Sequence, residues 1–209
     1  MSGHIMITDT RKVSSFQDPC GVLIVDNNSP YTSHLIDIIS DLGYSFDYKH
    51  YSKIKREELE FESLPWFNKV ILSGRKTGSS NINATNSTIV KYCCNRDIPI
   101  LGICYGCQII ALTLGGSLRK LEKPIKDFDH VIVTSDNALV GGKQRLMVFK
   151  SHKFCVSKIP SCLDSVGVSQ TCRNEILLHK EKPIFGTQFH PEVSGADGIS
   201  ILTNFMALK

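Results

Sequence analysis

Ile98-Pro-Ile-Leu-Gly102-Ile-Cys104-Tyr-Gly106-Cys-Gln108-Ile-Ile-Ala-Leu-Thr-Leu-Gly115-Gly116 changes character twice within a short distance. Ile98 to Ile103 is an apolar run of the kind found in a fully buried strand. From Tyr105 the chain reads as an apolar helix that stops at the Gly115-Gly116 pair. Between the two lies Gly102-x-Cys104-x-Gly106, a nucleophile flanked by small residues at a strand-to-helix junction. A turn that sharp leaves no room for side chains on either side of the nucleophile, which is why glycines stand there. Such an elbow lifts the sulfur to the carboxyl end of a sheet and to the amino end of a helix. There the helix dipole and free N–H groups favour a thiolate.

Working outward, the same alternation of strand and helix recurs towards the amino terminus. Gly21 to Asp26 is a short apolar strand, and Asn27-Asn28-Ser29-Pro30 is a turn. Tyr31 to Leu42 has helical spacing at Leu35, Ile38, Ile39 and Leu42. A second strand is expected over Tyr44–Tyr48 and a charged surface helix or loop over Lys53–Leu64. A third strand is expected over Lys69–Ser73, followed by Gly74-Arg75-Lys76-Thr-Gly78 and a helix reaching about Asn95. Strands alternating with helices predict a parallel sheet whose binding loops gather at the strand carboxyl ends, here after Asp26, after Ser73 and at Cys104. Beyond Gly116 come short β-like runs at Ser117–Leu121, His130–Thr134, Arg145–Phe149, Asp164–Val168, Glu175–His179 and Ile184–Gln188. A closing helix is expected over Gly198–Leu208. The expected fold class is α/β: a flavodoxin-like open, mostly parallel sheet with helices on both faces and additional antiparallel strands in the C-terminal half. Residues 1–20 read as an N-terminal arm preceding one domain over 21–209.

Composition narrows the classes of function. The chain has 209 residues, 42% hydrophobic and 21% charged, and a net charge of +4 with its lysines scattered. That balance suits a soluble globular domain with a real core and gives no electrostatic footprint for nucleic acid. No apolar run approaches membrane-spanning length and no signal peptide is legible, so no membrane association and a cytoplasmic location are expected. The eight cysteines have irregular spacings that match neither a disulfide framework nor a structural zinc site. Cys104-x-x-Cys107 matches the spacing of a redox pair, although a small buried apolar residue is the plainer account of Cys107.

A cysteine nucleophile needs a base and a group to orient that base. Phe189-His190-Pro191-Glu192 supplies both directly after a strand-like run. His and Glu two apart on an extended segment point the same way, so the carboxylate can hold one imidazole nitrogen while the other faces the sulfur.

With these pieces in order, the sequence resembles a class I (triad-type) glutamine amidotransferase from about Gly21 onward. The resemblance rests on Asp26-Asn27, Leu72-Ser73-Gly74, Gly102-Ile-Cys104-Tyr-Gly106-Cys-Gln108, Ser151-His152-Lys153-Phe154 and Gly186-Thr-Gln-Phe-His190-Pro-Glu192. Related folds with a cysteine elbow place a histidine directly after the cysteine, where this chain has Tyr105.

The resemblance implies a glutaminase acting on L-glutamine through Cys104, His190 and Glu192, with no metal and no cofactor. It implies an oxyanion site formed by backbone N–H groups of Tyr105 and Arg75 beside Gly74. It also implies glutamine contacts from Gln108 and from the backbone of Lys153 and Phe154, and a separate ATP-dependent synthetase that receives the ammonia.

Within the family, local stretches are most similar to the stand-alone amidotransferase subunit of guanosine-monophosphate synthase. Subunits of anthranilate or aminodeoxychorismate synthase, a partner-free γ-glutamyl hydrolase and a non-catalytic regulatory subunit share enough of the pattern to stand as alternatives. Two departures are visible. Arg75-Lys76 stands where the family continues Gly-Pro, and Phe154 stands where the guanosine-monophosphate-synthase branch has Asp.

Overall fold

A computed structural model describes residues 21–54, 67–76 and 80–208. Nine strands form one sheet: β1 (Gly21–Asp26), β2 (Phe46–His50), β3 (Phe67–Leu72), β4 (Ile100–Ile103), β5 (Ser117–Val133), β6 (Arg145–Lys158), β7 (Leu163–Val168), β8 (Ile176–His179) and β9 (Ile184–Thr187). Their spatial order is β2-β1-β3-β4-β9-β8-β7-β5-β6. Pairing is parallel from β2 to β9 and antiparallel from β9 to β6. Four helices accompany the sheet among the described residues: α1 (Thr32–Asp41), α2 (Ser80–Arg96), α3 (Tyr105–Thr113) and α4 (Gly195–Ala207).

The apolar strands are buried on both faces because helices cover both. Val22 and Ile24 of β1 point to one side, into a cluster with Leu35 and Ile39 of α1 and Ile201, Leu202 and Phe205 of α4. Leu23 and Val25 point to the other, against Ile82, Ile89 and Val90 of α2 and Ile109 and Ile110 of α3. The two-residue period of a strand thus divides one core into two layers. The register of the parallel half aligns Val25, Leu72, Gly102 and Gly186 in a row across four strands. The segments after Asp26, Leu72, Ile103 and Thr187 therefore emerge side by side, and three of these are the loops expected from the sequence.

Several boundaries differ from the sequence reading. The second strand runs from Phe46 to His50 rather than from Tyr44, and the expected element over Lys53–Leu64 lies largely outside the described residues. Ser117–Leu121 and His130–Thr134 are one strand, β5, interrupted by a register shift between Lys120 and Ile125. The shift leaves Pro124, which has no N–H to donate, out of the ladder. Likewise β6 continues well past Phe149, to Lys158. The arm over residues 1–20 lies outside the described residues. Among the described residues no helix is long and apolar enough to cross a membrane.

Candidate active site

Cys104 sits between β4 and α3 with φ 51° and ψ −98°, a left-handed conformation that a β-carbon resists. The neighbours enforce it. A β-carbon at Gly102 would run into the backbone of Gly106, and one at Gly106 would run into the carbonyl of Leu72. The Cys104 N–H is tied to the Thr187 carbonyl of β9 at 2.7 Å. Only the sulfur is left to point outward, where it lies 3.8 Å from the Ser151 carbonyl oxygen and 3.9 Å from Gln188 Nε2.

His190 reaches this sulfur from the end of β9. Its N–H donates to the Phe149 carbonyl of β6 at 2.9 Å, which fixes the backbone. Nδ1–H donates to Glu192 Oε1 at 2.8 Å, so Nε2 is the nitrogen left for Cys104. Both side chains are buried. Burial works against a charged imidazole, but the Glu192 carboxylate and the Cys104 sulfur outweigh it and hold His190 well above its ordinary pKa. Tyr31 packs edge-on against the imidazole with ring centres 4.8 Å apart. The result is a buried base that is oriented by a carboxylate and placed against a strained nucleophile. That geometry suits attack on a carbonyl carbon and protonation of the leaving group.

The Ser73–Lys76 loop lies alongside. A β-carbon at Gly74 would stand 2.7 Å from His190 Cε1, so only glycine fits there. The loop is held from beneath by buried amides. Asn27 N–H donates to Ser73 Oγ, Asn27 Nδ2 donates to the Ser73 carbonyl, and Asn86 Nδ2 donates to Asn27 Oδ1. Arg75 takes an ordinary backbone conformation, since the non-glycine residues at positive φ are Asn28, Asp97 and Cys104 among the described residues. Its guanidinium stacks 4.2 Å over the Tyr105 ring and donates to Asn83 Oδ1, which also accepts from the Tyr105 hydroxyl. Burial pushes that hydroxyl up to about 12 against the opposing pull of Arg75, so it remains a donor. Tyr105 opens α3, where N–H groups have no partner within the helix.

On the opposite wall, Gln108 is buried one turn into α3. Its Nε2 donates to the Phe154 carbonyl at 2.8 Å and to Gln188 Oε1 at 3.3 Å. The Phe154 carbonyl also lies 3.0 Å from His152 Nδ1. Burial pushes His152 down to about 4; the Phe154 carbonyl opposes the shift, and the charges on Lys150 and His190 add to it. Both Lys153 and Phe154 have exposed side chains.

Comparison with known proteins agrees with this geometry. The family model for class-I glutamine amidotransferases matches residues 23–208. This chain belongs to that family. It is 33% identical over 186 residues to a stand-alone subunit of the glutamine-hydrolysing GMP synthase of Methanocaldococcus jannaschii, covering 88% of this chain and 95% of that one. It is 31% identical to the glutamine-hydrolysing GMP synthase of Cronobacter sakazakii, but spans only 36% of that longer protein. Among solved structures, a protein of Thermoplasma acidophilum described as a GMP synthase subunit superposes with a TM-score of 0.78. It is 28% identical, and the match covers 90% of this chain and 92% of that one. A glutamine amidotransferase of Thermotoga maritima, 24% identical with a TM-score of 0.71, shares the fold and covers 85% of this chain and 78% of its own.

For this amidotransferase, the structure brings Cys104, His190, Glu192, Gly74, Tyr105 and Gln108 together. Lys153 and Phe154 border the same pocket through their backbone. Two expectations change. The Phe154 carbonyl, expected to meet the substrate, is already taken by Gln108 and His152. Cys107 sits in the core with Ala111, Val156 and Leu177, its sulfur directed at Gly186, and burial raises its pKa. It is the small apolar residue of the plainer reading. Sequence reasoning passed over Gln188, Tyr31 and Asn86. For Gln188 a signal existed: it lies two residues before His190 on extended chain, hence on the same side.

Proposed function

We propose that the protein hydrolyses the side-chain amide of L-glutamine to glutamate and ammonia, through Cys104 as nucleophile. The Cys104 sulfur attacks the amide carbon, and His190 passes a proton to the departing nitrogen, which leaves as ammonia. The γ-glutamyl thioester so formed is attacked by water, with His190 taking the proton back and releasing glutamate. Glu192 keeps the imidazole in the productive orientation. N–H groups at Tyr105 and in the Gly74–Arg75 segment receive the oxyanion.

The observation that carries this reading is the left-handed Cys104 at the end of β4, faced by a His190–Glu192 pair delivered from β9. The intact constellation disfavours a non-catalytic regulatory subunit. The match to nearly the whole length of the Methanocaldococcus jannaschii subunit supports a separate ATP-dependent synthetase that consumes the ammonia, in the synthesis of guanosine monophosphate.

The test is kinetic. Cys104→Ala should abolish glutamine hydrolysis, His190→Ala should lower it by about 1,000-fold or more, and Glu192→Ala should cost less than His190→Ala. A full rate in His190→Ala would remove the mechanism. The acceptor is tested by asking which ATP-using enzyme co-purifies from the native cell and raises the glutaminase rate when added back.

A further inference from the structure

Gln188 is fully buried and makes no contribution to the triad, yet its amide lies between two parts of the site. Its backbone N–H donates to the Glu175 carbonyl at 2.8 Å, anchoring it to the segment that leads into β8. On one side its Oε1 accepts from Gln108 Nε2, and on the other its Nε2 lies 3.9 Å from Cys104 Sγ.

An amide nitrogen carries two hydrogens, and an amide can be flipped only if its neighbours tolerate the exchange. Gln108 Nε2 faces two oxygens, the Phe154 carbonyl and Gln188 Oε1. Flipping Gln108 would set oxygen against both, so the orientation is fixed and Gln108 Oε1 is left as an acceptor. The same logic orients Gln188: with Oε1 committed to Gln108, its Nε2–H groups are the ones that face the sulfur. The other polar neighbour of that sulfur is the Ser151 carbonyl, which suits a thiol and repels a thiolate.

We infer that Gln188 is a positioning residue that serves both ends of the reaction at once. It fixes Gln108 as an acceptor for the ammonium group of an α-amino acid substrate, and it offers an N–H to the Cys104 thiolate. The inference deepens the proposed glutaminase reading and rests on it for the identity of the substrate. Its claim on Cys104 can be read without turnover.

Gln188→Met keeps the length and volume of the side chain and removes both polar atoms. The KM for glutamine should rise roughly tenfold in Gln188→Met and in Gln108→Met, and no further in the double variant, because Gln188 acts through Gln108. Alkylation of Cys104 by iodoacetamide at fixed pH, read by peptide mass, should slow about fivefold in Gln188→Met and stay unchanged in Gln108→Met. A structural role alone would not separate these two variants. A KM that rises multiplicatively in the double variant, or an unchanged alkylation rate in Gln188→Met, overturns the inference. Gln188→Glu guards against a folding failure of the first variant: it keeps the acceptor but replaces the donor, so it should retain near-native KM and lose the alkylation rate. Should the wild-type chain leave glutamine untouched, the glutaminase reading falls while the alkylation arm still decides the hold of Gln188 on Cys104.

Discussion

At His190 and His152 two imidazoles of one pocket are pushed in opposite directions, and the stability of the protein should record both. His190 is held above its ordinary pKa despite burial, by Glu192 and Cys104. A group raised in this way adds stability below its unfolded pKa and loses it as pH climbs through the folded value. His152, pushed down to about 4 chiefly by burial, must be charged before the unfolded state's preference for protons is met. Stability is therefore withdrawn as pH falls from 6.5 towards 4, by on the order of 3 kcal/mol. In Glu192→Gln the decline of the melting temperature on raising pH above the unfolded value should flatten or reverse, and His152→Gln should flatten the acid side instead. Melting curves taken across the pH range decide it, and parallel profiles for all three proteins would refute both assignments. Arg75 gives a second residue-scale prediction. Stacked on Tyr105 and bonded to Asn83, it holds the Gly74 loop outside the positive-φ region that a turning glycine peptide can reach. Replacing Arg75 by Gly together with Lys76 by Pro should raise basal glutamine hydrolysis, by up to about 100-fold if one oxyanion donor is recovered. An unchanged basal rate would mean that the donor was already in place.

Among the elements, β6 is the one whose sequence and structure are hardest to reconcile. Its first half reads as a strand, but Lys150-Ser-His-Lys153 is polar and reads as its end. The structure keeps going because each polar group is matched to a partner. Lys150 is fully buried against Glu175 at 2.6 Å and Asp129 at 2.7 Å, with Ser169 at 2.8 Å, and the Ser151 and Phe154 carbonyls face the pocket. Pattern reading fails where a strand carries a buried ion pair and an active-site edge, because apolar alternation is no longer what burial requires. The loops after β1, β3 and β4 were legible for the opposite reason, since fully apolar strands with abrupt polar or glycine ends leave few alternatives. Removing one partner of the ion pair should be costly. Lys150→Met alone leaves Glu175 buried and uncompensated and should lose about 3–5 kcal/mol, whereas Lys150→Met combined with Glu175→Leu should recover most of it. Chemical denaturation of the three proteins measures this. Equal losses in the single and double variants would show that the pair does not hold β6 to the segment before β8.

Taken whole, the molecule joins a parallel half that supplies the nucleophile and the oxyanion loop to an antiparallel half that closes the pocket with Ser151–Phe154. His190 stands at the seam, with its backbone tied to β6 and its side chain turned to β4. The seam explains why the site was legible as residues before it was legible as a shape: Cys104, His190 and Glu192 announce themselves by type and spacing. By contrast, the Gln108–Gln188–Cys104 relay exists only once β9 is laid beside α3. The central claim is that Cys104 alone is the activated thiol of a glutamine site. It is tested most directly by treating the full chain with a glutamine-like electrophile and mapping the adduct by peptide mass spectrometry. A single adduct on Cys104, lost in Cys104→Ala and slowed by added glutamine, is the predicted result; adducts spread over the other cysteines, or labelling that glutamine does not slow, would contradict it.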